Sequence, residues 1–323
     1  MKWLPGHRVP NWDIHGVDVV AVLTSSAARG SIQEVIMQVG IYAFATDSGL
    51  RPFELAQAVE ERGFSALMFP EHSHIPASRA TAYPDVYGGG ELPDFYKRTF
   101  DPFVSCTMVA AATTRLRMGT GIALMALRDA VNTAKEVASV DYLSDGRFNF
   151  GVGFGWNADE FITHGVSFKG RQNLVRDKIR LMKELWTQDI ASYEGEHVSL
   201  QPSYAWPKPA QTPFPPIFLG GNGPLSMKHA AEWADVWYPT PPGEDPLLTR
   251  LASEYRQLCE DAGRDPATVK IGCAPGDAST PDLDTYAANG VDFVNIGLVT
   301  TSRDEDLARL DDLAKRAASY LQT

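Results

Sequence analysis

Along the chain, short apolar runs of strand character alternate with longer stretches of helical period, beginning at Met37. Residues 37–44 read as a strand, and 52–62 as an amphipathic helix stopped by Gly63. Residues 65–69 form a short buried strand that runs into Pro70-Glu71-His72-Ser73-His74. A Gly-, Pro- and Tyr-rich stretch over 75–98 follows; it is too long for a plain connection, and such stretches serve as lids. Asp101-Pro102 opens a helix to Ala112, the acid at the N-cap and the proline in the first turn. The third strand is read over 116–124 with its helix over 130–143, and the fourth over 147–155 with its helix over 169–186. A polar, Pro-rich excursion over 188–216 precedes strand 217–219 and the helix carrying Lys228 and His229. Strands over 235–238, 268–274 and 293–298, with helices over 247–259, 282–288 and 304–321, complete the pattern.

Repeated strand–helix alternation implies a parallel sheet, and eight units of this size predict closure into an α/β (β/α)8 TIM barrel. The rival, an open doubly wound sheet, calls for GxGxxG after the first strand, where this chain has Phe44-Ala-Thr-Asp-Ser-Gly49. The barrel is assigned to 37–323, and residues 1–36 to an N-terminal extension outside it. The apolar run over 17–23 is short for a signal peptide, and Asp13 and Asp18 stand where positive charge is needed.

Composition narrows the partners. The 323 residues are 44% hydrophobic, enough for one large core. A formal charge of −11 argues against nucleic acid or an anionic membrane, although a single phosphate needs only a few local donors. No apolar run reaches the roughly 18 residues that span a bilayer. Cys106, Cys259 and Cys273 lack metal or CxxC spacing and read as buried thiols of a reducing, cytoplasmic compartment. GxSxG, Walker A and HExxH motifs are absent.

Barrel active sites are built from the loops that follow the strands. After the fifth strand, Gly220-Gly221-Asn222-Gly223-Pro224 enters a helix, an arrangement that suits a phosphate or an ordinary tight turn. After the fourth come Gly151, Gly153, Gly155, Trp156 and Asn157, with Asp159 and Glu160 nearby; these glycines admit a flat ligand or simply fit the barrel layers. Gly119, Thr120 and Gly121, ending the third strand, clear space against a ring face or serve closure. After the second, His72 can donate to a carbonyl, move a proton or be satisfied by loop backbone; Glu71 is its neighbour. Glu71, His72 and His74 lack a further cluster to complete a metal site, so no metal is expected. Arg115, Arg117 and Arg147 precede strands at the barrel bottom and read as structural.

Together these segments resemble the luciferase-like flavin- and F420-dependent oxidoreductase superfamily. The resemblance rests on Pro70-Glu71-His72-Ser73, Leu116-Arg-Met-Gly-Thr-Gly121, Ala134-Lys-Glu-Val-Ala138 with Asp141, and Leu143-Ser-Asp-Gly-Arg147. Gly151-Val-Gly-Phe-Gly-Trp156-Asn157 with Glu160, Met182-Lys-Glu-Leu-Trp186 and Gly220-Gly-Asn-Gly-Pro224 extend it, and Glu91-Leu-Pro-Asp-Phe-Tyr96 and Trp206-Pro-Lys-Pro209 look like the F420-dependent branch. It implies a cofactor, F420 or FMN, across the barrel mouth, with its phosphate in the 220–224 loop and its ring before 119–122, where the peptide is often cis without proline. It also places the 153–157 segment in the cofactor pocket and His72 at a cofactor-contacting position. Pro76 stands where sugar-phosphate dehydrogenase members carry tryptophan, which departs from a sugar-phosphate substrate. The expected function is hydride transfer between F420 C5 and a small organic substrate by a homodimer, with His72 and Glu71 as catalytic candidates. The alternatives are an FMN-dependent monooxygenase using reduced flavin and O2, and a cofactor-binding protein without turnover.

Overall fold

The computed structural model describes residues 37–240, 245–275 and 282–321; the expected extension over 1–36 lies outside the described residues. In chain order the elements are β1 (Gln38–Phe44), α1 (Pro52–Glu61), β2 (Ala66–Phe69), α2 (Pro102–Ala112), β3 (Arg117–Thr120), β4 (Ala123–Leu124) and α3 (Ala130–Leu143). Then come β5 (Phe148–Gly153), α4 (Ala158–Thr163), α5 (Arg171–Thr187), β6 (Ala191–Glu194), β7 (Ser199–Ser203), β8 (Ile217–Gly220) and α6 (Pro224–Trp233). The last are β9 (Val236–Tyr238), α7 (Asp245–Asp261), β10 (Lys270–Cys273), α8 (Leu283–Ala288), β11 (Phe293–Val299) and α9 (Arg303–Arg316).

The sheet runs β3-β2-β1-β11-β10-β9-β8-β5-β4, and β3 also pairs with β5, which closes the ring. Its ladders are all parallel. With β3 and β4 counted as two pieces of one stave, this is a (β/α)8 TIM barrel. Every residue of β5 is buried, as expected for a strand covered on both faces. Asp101 caps α2 by accepting from the amides of Phe103 and Val104, and Asp129 caps α3 by accepting from Asn132. The three cysteines are buried free thiols.

Four boundaries differ from the pattern reading, each for a local reason. The third strand is broken: the Gly121–Ile122 peptide is cis, and the chain resumes as β4 against β5. The fourth strand stops at Gly153, because Gly155 takes φ 77° and turns the chain out of the ladder. The short helix α4 follows, unannounced by any long periodic stretch. The excursion over 188–216 holds an antiparallel hairpin, β6–β7, tied to α5 by Asp177, which accepts from Tyr193 Oη (2.5 Å) and the amides of His197 and Val198.

Arg117 and Arg147 are structural, as their position suggested. Arg117 donates to Asn149 and Gln211 side chains, and Arg147 to the carbonyls of Ala110, Leu116 and Ser144. Closer to the rim, buried Lys178 of α5 donates to the carbonyls of Met125 (3.1 Å), Ala126 (3.0 Å) and Arg128 (2.6 Å). These bonds shape the turn after β4. Burial holds the Lys178 ammonium below its ordinary pKa, with Asp129 opposing the shift. Replacing Lys178 by Met leaves three buried carbonyls without this donor, so it should destabilise the fold by about 3 kcal/mol. Chemical denaturation of the two proteins measures the difference.

Candidate functional site

The C-terminal ends of the barrel strands open onto a cavity of about 370 Å³. Tyr42 and Phe44 come from β1, Glu71 and His72 from the segment after β2, and Gly121 and Ile122 from the β3–β4 break. Gly153 and Trp156 come from the end of β5, Gly220 and Gly221 from the end of β8, and Gly297 and Leu298 from β11.

At the β2 side, the His72 ring is fixed by a carboxylate. Its Nδ1 lies 3.1 and 3.0 Å from the two oxygens of Glu160, with side chains 6% and 1% exposed. An ionised carboxylate only accepts, so Nδ1–H donates and Nε2 is the ring nitrogen left for a ligand. Glu160 is placed by the first turn of α4. Glu71, one residue before His72, serves a different bond set. Its Oε2 accepts from the Leu124 amide (2.6 Å) and its Oε1 from Arg128 Nε (2.7 Å). Burial raises the Glu71 pKa, and Arg128 with the Leu124 amide opposes that rise. Arg128 in turn reaches Asp101 (2.7 Å) and Glu136 (2.9 Å), so Glu71 anchors the chain immediately beyond the cis peptide.

Further round the ring, the β5–β8 side carries positive charge. Arg171, at the start of α5, donates through Nε to the carbonyls of Phe154 and Gly155 and through Nη1 to that of Phe168. Its guanidinium lies 3.6 Å from the Phe168 ring centroid. Among the described residues no carboxylate pairs with it and Nη2 has no acceptor. Burial lowers its pKa. Lining the same cavity, Gly221 has φ 120°, and a Cβ there would stand 2.5 Å from Ser226 Oγ, so the turn requires glycine on both grounds. Trp237 Nε1 donates to the Gly221 carbonyl (3.1 Å), while Asn222 exchanges two hydrogen bonds with the backbone of Thr240.

The floor between the two sides is Ile122. A Cβ on Gly153 would fall 1.6 Å from Ile122 Cδ1, and one on Gly220 3.1 Å from Ile122 Cγ2. The roof is the segment over 75–98, which includes two short 3-10 turns, Asp85–Tyr87 and Asp94–Lys97. It presents Tyr83, Tyr87, Phe95 and Tyr96 to the cavity. Asp159 holds one end, accepting from the amides of Ala80 (3.1 Å) and Thr81 (2.9 Å), and the Thr81 hydroxyl together with these amides takes its pKa down to about 2. Because the folded value is depressed, this anchor is complete above the ordinary carboxylate range and fails only as pH falls towards 2. Arg98 holds the other end through a two-pronged bond to Asp47.

The model of the luciferase-like monooxygenase family matches residues 44–318, most of the chain. The chain belongs to that family. An uncharacterized protein of Mycobacterium tuberculosis is 39% identical over 287 residues, covering 87% of this chain and 99% of that one. The F420-dependent glucose-6-phosphate dehydrogenase of Gordonia bronchialis is 28% identical over 220 residues, 66% of this chain and 59% of that protein. In fold, the chain is similar to an F420-dependent secondary alcohol dehydrogenase in complex with an F420–acetone adduct, with a TM-score of 0.70 at 16% identity, covering 88% and 99% of the two chains.

For a luciferase-like barrel, the residues singled out from sequence divide into three groups. His72, Glu71, Gly121, Gly153, Gly155, Trp156, Gly220 and Gly221 line the cavity. Gly119 and Thr120 lie one layer below it: a Cβ on Gly119 would meet the Asn149 carbonyl at 2.3 Å, and Thr120 Oγ1 donates to the Gly151 carbonyl. Asn157 is buried at the N-terminal boundary of α4, Asn222 braces Thr240, and Gly223 stands at the N-cap of α6 with open space around it. Pattern reading passed over Arg171, Ser226 and the tie between Glu160 and His72. Glu160 had a weak signal, standing close behind the strand-end glycines, whereas Arg171 looked like any polar residue opening a helix. Among the described residues no cluster of three or more His, Cys, Asp or Glu could hold a metal. In ¹⁵N-histidine NMR, His72 should show a slowly exchanging Nδ1–H, and Glu160→Leu should abolish that signal.

Proposed function

We propose that this luciferase-like protein is an F420-dependent oxidoreductase that moves a hydride between C5 of the deazaflavin and a small organic substrate. The observation that carries the reading is one cavity with an unneutralised cation, Arg171, at the β5–β8 side and a carboxylate-fixed imidazole, His72, at the β2 side. The relative from Gordonia, named for its use of F420, supports the choice of cofactor.

The residues fit such a group. Arg171, the Gly220–Gly221 backbone and Ser226 would hold its phosphate, and the glycine-cleared surface above Ile122 would take its flat ring. When bound, the deazaflavin supplies the hydride chemistry. Glu160 holds the His72 ring in one tautomer, so that Nε2 meets a cofactor or substrate atom at a fixed angle. The roof over 75–98 excludes water above the ring. Glu71, bonded to Leu124 and Arg128, is then a positioning residue for the β3–β4 break.

Fluorescence titration should show micromolar binding of F420. Arg171→Leu should weaken it about 10- to 100-fold, the range of one or two charge-assisted bonds, and His72→Ala should leave binding within a few-fold while abolishing turnover. Tight binding of FMN with none of F420 would replace this reading by that of a reduced-flavin monooxygenase. The proposal includes a homodimer: α2 exposes Val104 and Met108, and α3 exposes Val131, Tyr142 and Leu143. Light scattering should return twice the 35.3 kDa chain mass; a monomer at micromolar concentration removes this part.

A further inference from the structure

The roof and the β1 side of the cavity form an aromatic chamber that the cofactor reading leaves without an occupant. Phe44 packs on Phe95 (centroids 4.5 Å apart) and on Tyr96 (4.9 Å), and Trp156 closes against Tyr83 (5.8 Å). Tyr83 and Tyr96 are 6% and 7% exposed, and their hydroxyls lie 3.1 Å apart. Two phenols carry two hydrogens, and only one can serve the bond between them. Among the described residues neither hydroxyl has another partner, so one O–H is left to donate into the cavity that both rings line. Burial raises both phenol pKa values, which keeps the hydroxyls protonated donors at any working pH.

The two buried carboxylates nearest this chamber already have their partners. Glu71 is held by Arg128 and His72 by Glu160; Arg79 lies over the Trp156 ring without lining the cavity, and Arg171 is held on the Phe154 and Gly155 carbonyls at the end of β5. Among the described residues no cation stacks on the Phe44, Tyr83 or Tyr96 rings, so an anion lodged between them would lose its hydration with no countercharge in contact, at a cost of several kcal/mol. A neutral, flat molecule loses little, and a carbonyl oxygen on it meets the free hydroxyl. We propose that Tyr83 and Tyr96 form a substrate subsite for an uncharged cyclic or aromatic carbonyl compound, the pair donating one hydrogen bond to its oxygen. This rests on the oxidoreductase reading for its biological sense but not for its test.

The test uses the full chain and cyclohex-2-enone labelled with ¹³C at the carbonyl, observed by isotope-difference infrared spectroscopy with and without oxidised F420. No turnover is involved, so a failure of F420 to bind removes the cofactor reading and leaves this measurement intact. The bound carbonyl stretch should move to lower frequency, and the Tyr83→Phe/Tyr96→Phe double variant should abolish the shift and weaken probe binding about tenfold, the value of one neutral hydrogen bond. Each single variant keeps one hydroxyl without a protein acceptor and should retain part of the shift, a pattern that a merely structural role would not give. Both rings remain in the double variant, and its melting temperature reports whether the roof is intact. An unshifted carbonyl in the unaltered protein, a full shift in a folded double variant, or benzoate binding as tightly as the enone overturns the proposal.

Discussion

The site depends on what happens to two neighbouring side chains where the chain leaves β2. Glu71 turns to the barrel wall and grips the Leu124 amide and Arg128, while His72 turns to Glu160. A carboxylate as buried as Glu160, 1% exposed, is tolerated only with a donor in bonding geometry, and here the ring Nδ1 supplies it. That requirement orients the imidazole more firmly than packing alone could. The same requirement, met by Arg128 and the Leu124 amide at Glu71, fixes the chain beyond the β3–β4 break, where Ile122 becomes the floor. Two buried carboxylates thus set one wall and the base of the cavity.

Around that frame the cavity is polarised. It is lined by a glycine turn, by an arginine without a counter-ion among the described residues, and by a set of stacked and edge-on rings with hydroxyl tips. In the ring order of strands β1 lies opposite β8, which separates the glycine turn from the rings on β1, while the end of β5 carries both Trp156 and the carbonyls that hold Arg171. An anionic tail and an uncharged flat partner therefore find different surroundings within one space. The imidazole stands on the aromatic side, against Tyr96 (5.1 Å) and Trp156 (5.9 Å).

Most of the barrel was legible because its signals are local. Asp101-Pro102 announces α2 through capping that the structure reproduces, and the apolar runs of the strands survive because both faces are covered. The helix over 130–143 was placed to the residue. What escaped was non-local or compensated. The tie between His72 and Glu160 joins residues 88 apart in sequence, and no periodicity reports it. Helix α4 is too short to show a face, and the β3–β4 break lies inside a run that reads as one strand. Glycine motifs lie at the rim but at different depths: Gly119 and Gly151 relieve contacts between strands, whereas Gly121 and Gly221 line the cavity. Asn222, read as a cofactor contact, exchanges two hydrogen bonds with the Thr240 backbone, a pairing 18 residues apart that no pattern reports.

The roof is supplied by one uninterrupted stretch of chain, fastened near its two ends by Asp159 and by the Arg98–Asp47 pair. Its interior carries Gly88 and Gly90, whose positive φ angles leave nothing within 4 Å of a would-be Cβ. Substitutions between the two fastenings can reshape the chamber while Arg171, the His72–Glu160 pair and the staves keep their hydrogen bonds. Such a barrel can exchange one clientele for another through a few changes in a single loop, its redox apparatus inherited whole.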